Sequence, residues 1–272
     1  MTFYLTGFSG QLGSAMREFF LNLQQEVTLL GRYKPSLHPN ETYIQYDLKT
    51  SLSEENISFS GDCIVIHCAY DFNFNTLTTN SINFRGTQNL IHCFSKCQSA
   101  KFVYFSTPLN LENLLNTSFY QKDKFAIEKL FDAKRDLILS PSFLVSYKSK
   151  TNKFFHFLKR FKVPIPVPSN INNIAPMQVD DFVSMIYSRL IKKDMYGKFL
   201  IISSNEESFE SFLKNYYQIR SIKFPNFCFR FAANFLRFFG FFYLSERILG
   251  LLNLPNLDEL KKTEAFLEVR QN

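Results

Sequence analysis

The sequence predicts an α/β protein with a doubly wound parallel sheet and a small C-terminal lobe. A β-prone run, Thr2–Leu5, leads into a glycine-rich turn and then into a segment with helical spacing, Ser14–Leu23. The run Cys63–Cys68 is apolar throughout, as expected of a strand that is covered on both faces of a parallel sheet. A helix predicted between Asn80 and Cys97 separates this strand from the next one.

The turn after the first strand, Thr6–Gly13, carries three glycines. Gly7 lets the chain turn sharply, Gly10 lets backbone N–H groups approach a pyrophosphate, and Gly13 lets the helix pack closely on the strand. The N-terminus of the helix adds free N–H groups and the positive end of its dipole. The pattern predicts a dinucleotide-binding unit of the Rossmann type; the alternative is a tight turn that binds nothing.

The second strand, Glu26–Leu30, ends at Gly31 and Arg32. A site that prefers NAD places an acidic residue about 20 residues after the glycines, where it binds the ribose hydroxyls. Arg32 and the nearby Lys34 are basic instead, and a cation can pair with a 2′-phosphate. The sequence therefore favours NADP over NAD as the cofactor. The alternative is that Arg32 is a solvated loop cation.

Polar residues follow the fourth and fifth strands of the predicted sheet. The fourth strand ends at Ala69 and Tyr70, and the fifth, Lys101–Phe105, ends at Ser106 and Thr107. In an open α/β sheet, ligands bind at the carboxyl ends of the strands. We therefore expect these residues to lie beside a ligand.

The next helix carries the predicted chemistry. Tyr120 and Lys124 are four residues apart, so both side chains lie on one face of the helix, one turn apart. A lysine ammonium beside a phenol stabilises the phenolate and lowers the pKa of the tyrosine. Such a tyrosine can exchange a proton with a carbonyl or alcohol oxygen, and a hydroxyl from Ser106 or Thr107 can hold that oxygen. The alternative is a surface pair without a catalytic role.

Composition narrows the classes of partner and site. The net charge of +7 is modest for 272 residues and the basic residues are scattered, so no nucleic-acid partner is predicted. A nucleotide-linked metabolite or an anionic membrane suits such a surface. His92, Cys93 and Cys97 lie close in sequence, but no second ligand pair follows, so we predict reduced thiols and no metal site. The sequence shows no signal-peptide pattern and no apolar run of membrane-spanning length, which predicts a cytoplasmic protein.

The chain resembles the extended short-chain dehydrogenases/reductases, the family of nucleotide-sugar epimerases, dehydratases and 4-ketoreductases. The motifs that carry the resemblance follow the order of that family: Thr6-Gly7-x-x-Gly10-x-x-Gly13, Asp47-Leu48 after a third strand at Tyr43–Tyr46, Asp62–Ala69, Asn83–Leu90, Phe105-Ser106-Thr107, Tyr120-x-x-x-Lys124, Glu128-Lys129 and Met177–Phe182. They cover nearly the whole chain. Any one of them is common, but the set is specific.

The resemblance implies a Rossmann core at residues 1–150 and a mostly substrate-binding lobe at residues 151–272, with one strand and helix, about 176–203, returning to the core. It also implies that Tyr120 is the proton donor or acceptor, that Lys124 binds the nicotinamide ribose, and that Thr107 or Ser106 binds the reacting oxygen. Further cofactor contacts are implied for Gly7, Ser9, Gly10, Gln11, Leu12 and Gly13 at the pyrophosphate, Asp47 and Leu48 at the adenine, Cys68, Ala69 and Tyr70 at the ribose and phosphates, and Pro141 beside them.

Three features depart from the pattern of the family. Many relatives end the strand after the catalytic helix in Leu-Arg-Pro, whereas this chain reads Leu139-Ser140-Pro141. Thr107 is flanked by Ser106 and Pro108, which leaves two hydroxyls for the third catalytic position. The chain is also shorter than typical epimerases. We therefore expect a trimmed substrate lobe and allow for altered activity.

The C-terminal half contains candidates for substrate binding. Val163–Pro168 alternates with proline, which requires an extended segment, and it resembles the loop with which relatives approach a sugar nucleotide. Arg160 precedes this loop and Arg247 lies far beyond it. Both are candidates for contact with the substrate diphosphate. The alternative for Arg160, which the sequence favours, is a solvated helix face.

A second segment, Phe224–Leu254, is rich in phenylalanine. Its helical stripe consists of Phe231, Phe235, Phe238 and Phe242. We expect this stripe to pack within the lobe. The alternatives are peripheral contact of residues 227–254 with a membrane and a homodimer interface.

The sequence thus predicts a cytoplasmic NAD(P)-dependent oxidoreductase that acts on a nucleotide-activated sugar. Its simplest reaction is reduction of a 4-keto sugar for surface polysaccharide synthesis, with hydride from the nicotinamide and a proton from Tyr120. An epimerase that retains its cofactor uses the same residues. A non-catalytic dinucleotide-binding sensor or scaffold is the alternative from another class, and the Tyr120 and Lys124 pair argues against it.

Overall fold

The computed structural model describes residues 1–50, 57, 61–72, 81–97, 99–108, 118–146, 150–169, 171, 173–252, 254, 258, 261 and 266–269. Its strands are β1 (Thr2–Thr6), β2 (Val27–Gly31), β3 (Glu41–Gln45), β4 (Cys63–His67), β5 (Lys101–Phe105), β6 (Leu137–Pro141), β7 (Phe143–Val145), β8 (Ile165–Pro168), β9 (Pro176–Gln178), β10 (Gly197–Ser203), β11 (Ser221–Phe224) and β12 (Phe266–Val269). Its helices are α1 (Gln11–Asn22), α2 (Ile82–Phe94), α3 (Phe119–Glu128), α4 (Lys150–Arg160), α5 (Val179–Met185, continued as a wider π-type helix over Ile186–Ile191), α6 (Phe209–Tyr217), α7 (Asn226–Phe238) and α8 (Phe242–Leu252).

Eight parallel strands form the central sheet in the order β12-β10-β6-β5-β4-β1-β2-β3. The order runs outward in both directions from the boundary between β1 and β4. That boundary is a topological switch point, where open α/β sheets bind ligands. The predicted doubly wound, Rossmann-type sheet is confirmed.

Alternate residues of each strand supply one core on each face of the sheet. Phe3 and Leu5 of β1 pack with Met16 of α1 and Phe182 of α5, whereas Tyr4 packs with Phe94 of α2 on the other face. This alternation is the two-residue period of a strand whose two faces are both covered. The apolar strands therefore hold two helical layers in place and direct their polar ends to the edge of the sheet.

The C-terminal lobe has a core of its own beside the sheet. Its buried residues include Val145 of β7, Phe155 of α4, Val167 of β8, and Phe212 and Leu213 of α6. β7 pairs with β9 and β8 pairs with β11, both in parallel. Residues 165–168, predicted to be extended, form β8. β10 lies in the central sheet, within the segment of about 176–203 for which the sequence suggested a return to the core. β12 also lies in this sheet, although the sequence suggested no such return for its segment.

Two glycines in the turn after β1 are required by close packing. Gly7 has a φ of +67°, and a Cβ atom there would lie 2.5 Å from the backbone nitrogen of Ala69. A Cβ atom on Gly13 would lie 2.2 Å from the carbonyl oxygen of Gly7. The turn therefore lies directly against the end of β4, and α1 lies directly against the turn.

One expectation about helices differs from the structure. The phenylalanine stripe of α7 does not pack within the lobe: Phe231, Phe235 and Phe238 are 72%, 55% and 85% exposed. α7 instead packs through Phe229 and Ala233, which lie on its other side. Among the described helices, none combines the length and the apolarity needed to cross a bilayer.

Gly13→Ala is expected to destabilise the fold by about 2 kcal/mol or more, because the new methyl group meets backbone that cannot move away. Gly250→Ala in α8 is the matched control, since no atom lies within 4 Å of its Cβ position. It should be neutral or stabilise by up to about 1 kcal/mol. Urea unfolding of both variants checks this, and equal stabilities would contradict the close contact.

Candidate active site

A hydroxyl at the end of β1 connects the glycine turn to the end of β4. Oγ1 of Thr6 accepts hydrogen bonds from the backbone N–H groups of Cys68 and Ala69, both at 3.1 Å. Its own proton is then donated to Nδ1 of His67 at 2.8 Å. Nε2 of His67 therefore carries the ring proton and donates it to Oγ1 of Thr87 in α2 at 2.9 Å.

His67 is held neutral in this network. Burial, together with the nearby charge of Lys124, lowers the pKa of His67 to about 3. Both ring nitrogens have partners, so the neutral imidazole links the end of β1 and the end of β4 to one side of α2 without adding a charge. Neither His67 nor Thr87 stood out in the sequence as a site residue, because a histidine inside an apolar strand gives no periodic signal.

A buried carboxylate lies between the two predicted catalytic residues. Asp123 accepts hydrogen bonds from the Tyr70 hydroxyl at 2.8 Å, from the Ser81 hydroxyl at 2.6 Å and from the Asn83 amide at 3.0 Å. Asn83 also pairs with the backbone of Asp71, donating at 2.8 Å and accepting at 2.6 Å. Asp123 thereby joins α3 to the start of α2 and to the loop after β4. Its neighbours in sequence suggested no such role.

Lys124 extends from α3 into the interior at the end of β5. Its Nζ donates to the carbonyl oxygen of Phe105 at 2.7 Å and lies 4.7 Å from the ring centroids of both Tyr70 and Tyr104. The side chain is buried, and burial lowers the pKa of Lys124 to about 8. The amine therefore remains mostly protonated at neutral pH. Two aromatic faces and one carbonyl dipole stabilise this charge.

Tyr120 lies one turn before Lys124 and is only partly buried. Its ring stacks on Phe72, with centroids 5.8 Å apart, and meets Tyr70 edge-on at 5.1 Å. Nζ of Lys124 is 6.0 Å from the centroid of the Tyr120 ring. α3 begins immediately before this tyrosine with a capping box between Ser118 and Gln121. The two residues therefore share one helix face, at the end of the sheet where the glycine turn lies.

The two hydroxyls after β5 differ in their surroundings. Ser106 is buried and donates a short hydrogen bond to Glu128, whose other carboxylate oxygen pairs with Nζ of Lys198 at 3.1 Å. Thr107 is partly exposed. Ser106 is thus part of the packing between α3 and the sheet, and Thr107 is the better placed hydroxyl for contact with a ligand.

The other predicted cofactor residues surround the carboxyl edge of the sheet. Ser9, Gly10 and Gln11 are exposed at the start of α1, which has no side-chain cap on its first N–H groups. The remaining ones are partly exposed, except for the buried Gly13: Gly7, Leu12, Asp47, Leu48, Cys68, Ala69, Tyr70 and Pro141. Arg32 is exposed at the end of β2, and its guanidinium lies 5.9 Å from the ring centroid of Tyr33.

The C-terminal lobe contacts the start of α3. Glu246 of α8 accepts the backbone N–H of Tyr120 at 3.3 Å and pairs with Arg237 of α7 at 2.5 Å. Arg160 is exposed at the end of α4, away from this contact, and Arg247 lies in α8 with its side chain outside the described residues. The described side chains contain no group of three or more His, Cys, Asp or Glu suited to a metal ion.

Comparisons with known proteins agree with this architecture. The model of the NAD dependent epimerase/dehydratase family matches residues 3–133. A search of curated protein sequences finds no significant match.

Several solved structures share the fold at low sequence identity. UDP-N-acetylglucosamine 4-epimerase from Bacillus cereus has 16% identity and a TM-score of 0.63, covering 83% of this chain and 88% of its own. dTDP-glucose 4,6-dehydratase from Bacillus anthracis, solved with NAD, has 14% identity and a TM-score of 0.63, covering 83% and 85%. WbmG from Bordetella bronchiseptica, solved with NAD and UDP, has 14% identity and a TM-score of 0.62, covering 81% and 82%.

The buried neutral His67 is expected to make folding stability depend on acid pH. The unfolded chain binds a proton at this residue below about pH 6.5, whereas the folded protein does so only near pH 3. The free energy of unfolding should therefore fall between these values as the pH falls, by roughly 1.4 kcal/mol per pH unit from this residue at most. Chemical denaturation across this pH range should show that the free energy of unfolding depends less on pH in His67→Asn than in the wild-type protein. His156→Asn, at an exposed position, is the control, and equal slopes in both variants would contradict the assignment.

Proposed function

We propose that the chain is an NAD(P)-dependent enzyme of the NAD dependent epimerase/dehydratase family, whose model matches residues 3–133, and that it acts on the sugar of a nucleotide sugar. The observation that carries the proposal is the position of Tyr120. It lies partly exposed, 6.0 Å from the buried ammonium of Lys124, in contact with the loop after β4 against which the glycine turn packs.

The chain fits a dinucleotide at this edge of the sheet. Cβ atoms on Gly7 and Gly13 would collide with backbone, so the turn lies close to β4 and leaves the start of α1 exposed. An uncapped helix N-terminus attracts phosphate groups. We assign the pyrophosphate to residues 7–13, the adenine to Asp47 and Leu48, and the ribose and phosphates to residues 68–70, with Pro141 beside them. Bound NAD(P) supplies the hydride chemistry.

The residues of α3 supply the proton chemistry. The Tyr120 hydroxyl donates a proton to a sugar carbonyl or accepts one from a sugar alcohol, and Thr107 binds the same oxygen. Lys124 keeps a positive charge beside the phenol at neutral pH and lies within reach of a nicotinamide ribose. Its hydrogen bond to Phe105 holds the amine in one place, so little reorganisation is needed during the reaction.

We propose reduction of a 4-keto sugar as the simplest reaction of this set. It needs one hydride and one proton per turnover, and Tyr120 is the group placed to deliver the proton. Epimerisation is the second candidate, because UDP-N-acetylglucosamine 4-epimerase is among the proteins that share the fold. An epimerase returns its hydride and retains its cofactor through purification, whereas a reductase releases it.

A nucleotide diphosphate as the non-reacting portion of the substrate is consistent with UDP in the WbmG structure. We propose Arg160 and Arg247 as contacts to that diphosphate. A cytoplasmic location and a homodimer remain predictions from the sequence. They can be examined by fractionation and by analytical ultracentrifugation.

Tyr120→Phe should reduce turnover of 4-keto nucleotide sugars by about 100-fold or more, because the proton donor is lost. Cofactor affinity should change by less than about twofold, since the aromatic contacts of the ring remain. Tyr196→Phe, at an exposed position outside the site, is the control and should leave turnover and cofactor affinity unchanged. Turnover by the Tyr120 variant at the wild-type rate would contradict its role as proton donor, and cofactor binding without turnover in the wild-type protein would support the sensor or scaffold alternative.

Arg32→Ala should remove a preference for NADPH. We expect the wild-type protein to bind NADPH about tenfold more tightly than NADH, which corresponds to about 1.4 kcal/mol, because the guanidinium pairs with the 2′-phosphate. Titrations that follow nicotinamide fluorescence measure both affinities, with Lys49→Ala at another exposed position as the control. Equal affinities of the wild-type protein for both cofactors would indicate that Arg32 is a solvated loop cation. Binding of neither cofactor would contradict the dinucleotide site.

A further inference from the structure

The outward face of α7 is an unbroken ridge of aromatic side chains. Phe227, Phe231, Phe235 and Phe238 recur along one side of the helix, and each is more than half exposed. The ring centroids of Phe231 and Phe235 are 6.4 Å apart, and Phe235 contacts Phe239 at 4.7 Å. Exposed apolar groups that contact one another over several turns of helix mark an interaction surface rather than scattered surface residues.

A second exposed aromatic group lies in the same lobe. Phe157 of α4 and Phe161, directly after the helix, are 57% and 59% exposed, with ring centroids 4.8 Å apart. The chain leads from α4 into β8, which pairs with β11, and β11 leads into α7. Ile222 and Phe224, two residues apart on β11, are also exposed. Between the aromatic groups of α4 and α7 the chain thus passes through a strand pair with exposed apolar side chains and one exposed cation, Lys223, which pairs with Glu210 at 2.9 Å.

The charges of these two segments have one sign. Residues 150–169 contain five basic and no acidic residues, and residues 218–245 contain four basic and no acidic residues. Together they exceed the net charge of +7, so the rest of the chain is slightly acidic. The exposed cations of the segments are Lys153, Lys159, Arg160, Lys162, Arg220, Lys223 and Arg230. Positive charge and exposed aromatic rings therefore coincide on one lobe.

We propose that this surface, defined by α4, β11 and α7, binds the surface of an anionic lipid bilayer. Phenylalanine side chains enter the boundary between headgroups and acyl chains, while lysine and arginine pair with anionic headgroups. No described helix is suited to cross the bilayer, so the contact is peripheral. The inference does not rest on the proposed function: Arg160 is the one residue of this surface that is also proposed as a substrate contact, and the experiment below leaves it unchanged.

Charge distinguishes a bilayer from a second copy of the chain. A symmetric contact between two α7 helices would bring Arg230 close to its equivalent, and α7 contains no acidic residue to pair with it. An anionic bilayer supplies the opposite charge along the whole surface.

The experiment is co-sedimentation of the full-length protein with vesicles of phosphatidylcholine alone or of phosphatidylcholine with phosphatidylserine. We expect binding to the serine-containing vesicles to be at least about tenfold stronger, and to weaken as salt is added. Phe231→Ser with Phe238→Ser should lower that binding by about tenfold or more, and Arg230→Glu should lower it on anionic vesicles only. Tyr196→Ser removes an exposed aromatic residue elsewhere and should change nothing.

The proposal is overturned if the wild-type protein sediments equally with no vesicles and with anionic vesicles, or if the two phenylalanine substitutions leave binding unchanged. It is also overturned if those substitutions abolish a dimer in sedimentation velocity, or if a short RNA binds the surface while vesicles do not. Circular dichroism and thermal unfolding of each variant establish that it is folded. Because the substituted side chains are exposed, the circular dichroism spectrum and the thermal unfolding of each variant should match those of the wild-type protein.

Discussion

The buried carboxylate of Asp123 is the constraint on which the geometry of the site depends. A carboxylate removed from water is costly unless hydrogen bonds replace its hydration, and here three side chains do so. Two of these donors belong to the start of α2 and the third, Tyr70, follows β4. α3 therefore has one position relative to the sheet in which Asp123 is satisfied. That position also sets where Tyr120 and Lys124 lie.

The charges of the residues near Asp123 are also determined by their buried neighbours. Lys124 is buried one residue later, and its charge is balanced by the Phe105 carbonyl and two aromatic faces rather than by a direct ion pair. The charge of Lys124 and burial both lower the pKa of His67, which therefore stays neutral and adds no second positive charge beside Lys124. A fixed ammonium beside a partly exposed phenol is what a proton transfer to a sugar oxygen requires.

Local sequence patterns were sufficient for the parts of the fold that short-range rules determine. The glycine turn was predictable because backbone contacts at Gly7 and Gly13 exclude any Cβ atom, and the spacing of Tyr120 and Lys124 follows from one helical turn. The partners of Ser106 and Asp123 were not predictable, because they come from distant residues. Periodicity also placed the α7 phenylalanines on one face without showing whether that face points inward. Their exposure reflects Phe229 and Ala233, which supply the packed side instead.

The most direct test of hydride chemistry at this site is transfer of an isotope label. The protein is incubated with nicotinamide cofactor deuterated at the reactive ring carbon and with a panel of 4-keto nucleotide sugars, and the products are analysed by mass spectrometry. The account predicts a nucleotide-sugar product that carries one deuterium on the former carbonyl carbon. A protein that binds the cofactor but transfers no label to any of these sugars, and that also fails to interconvert 4-epimers, would contradict it.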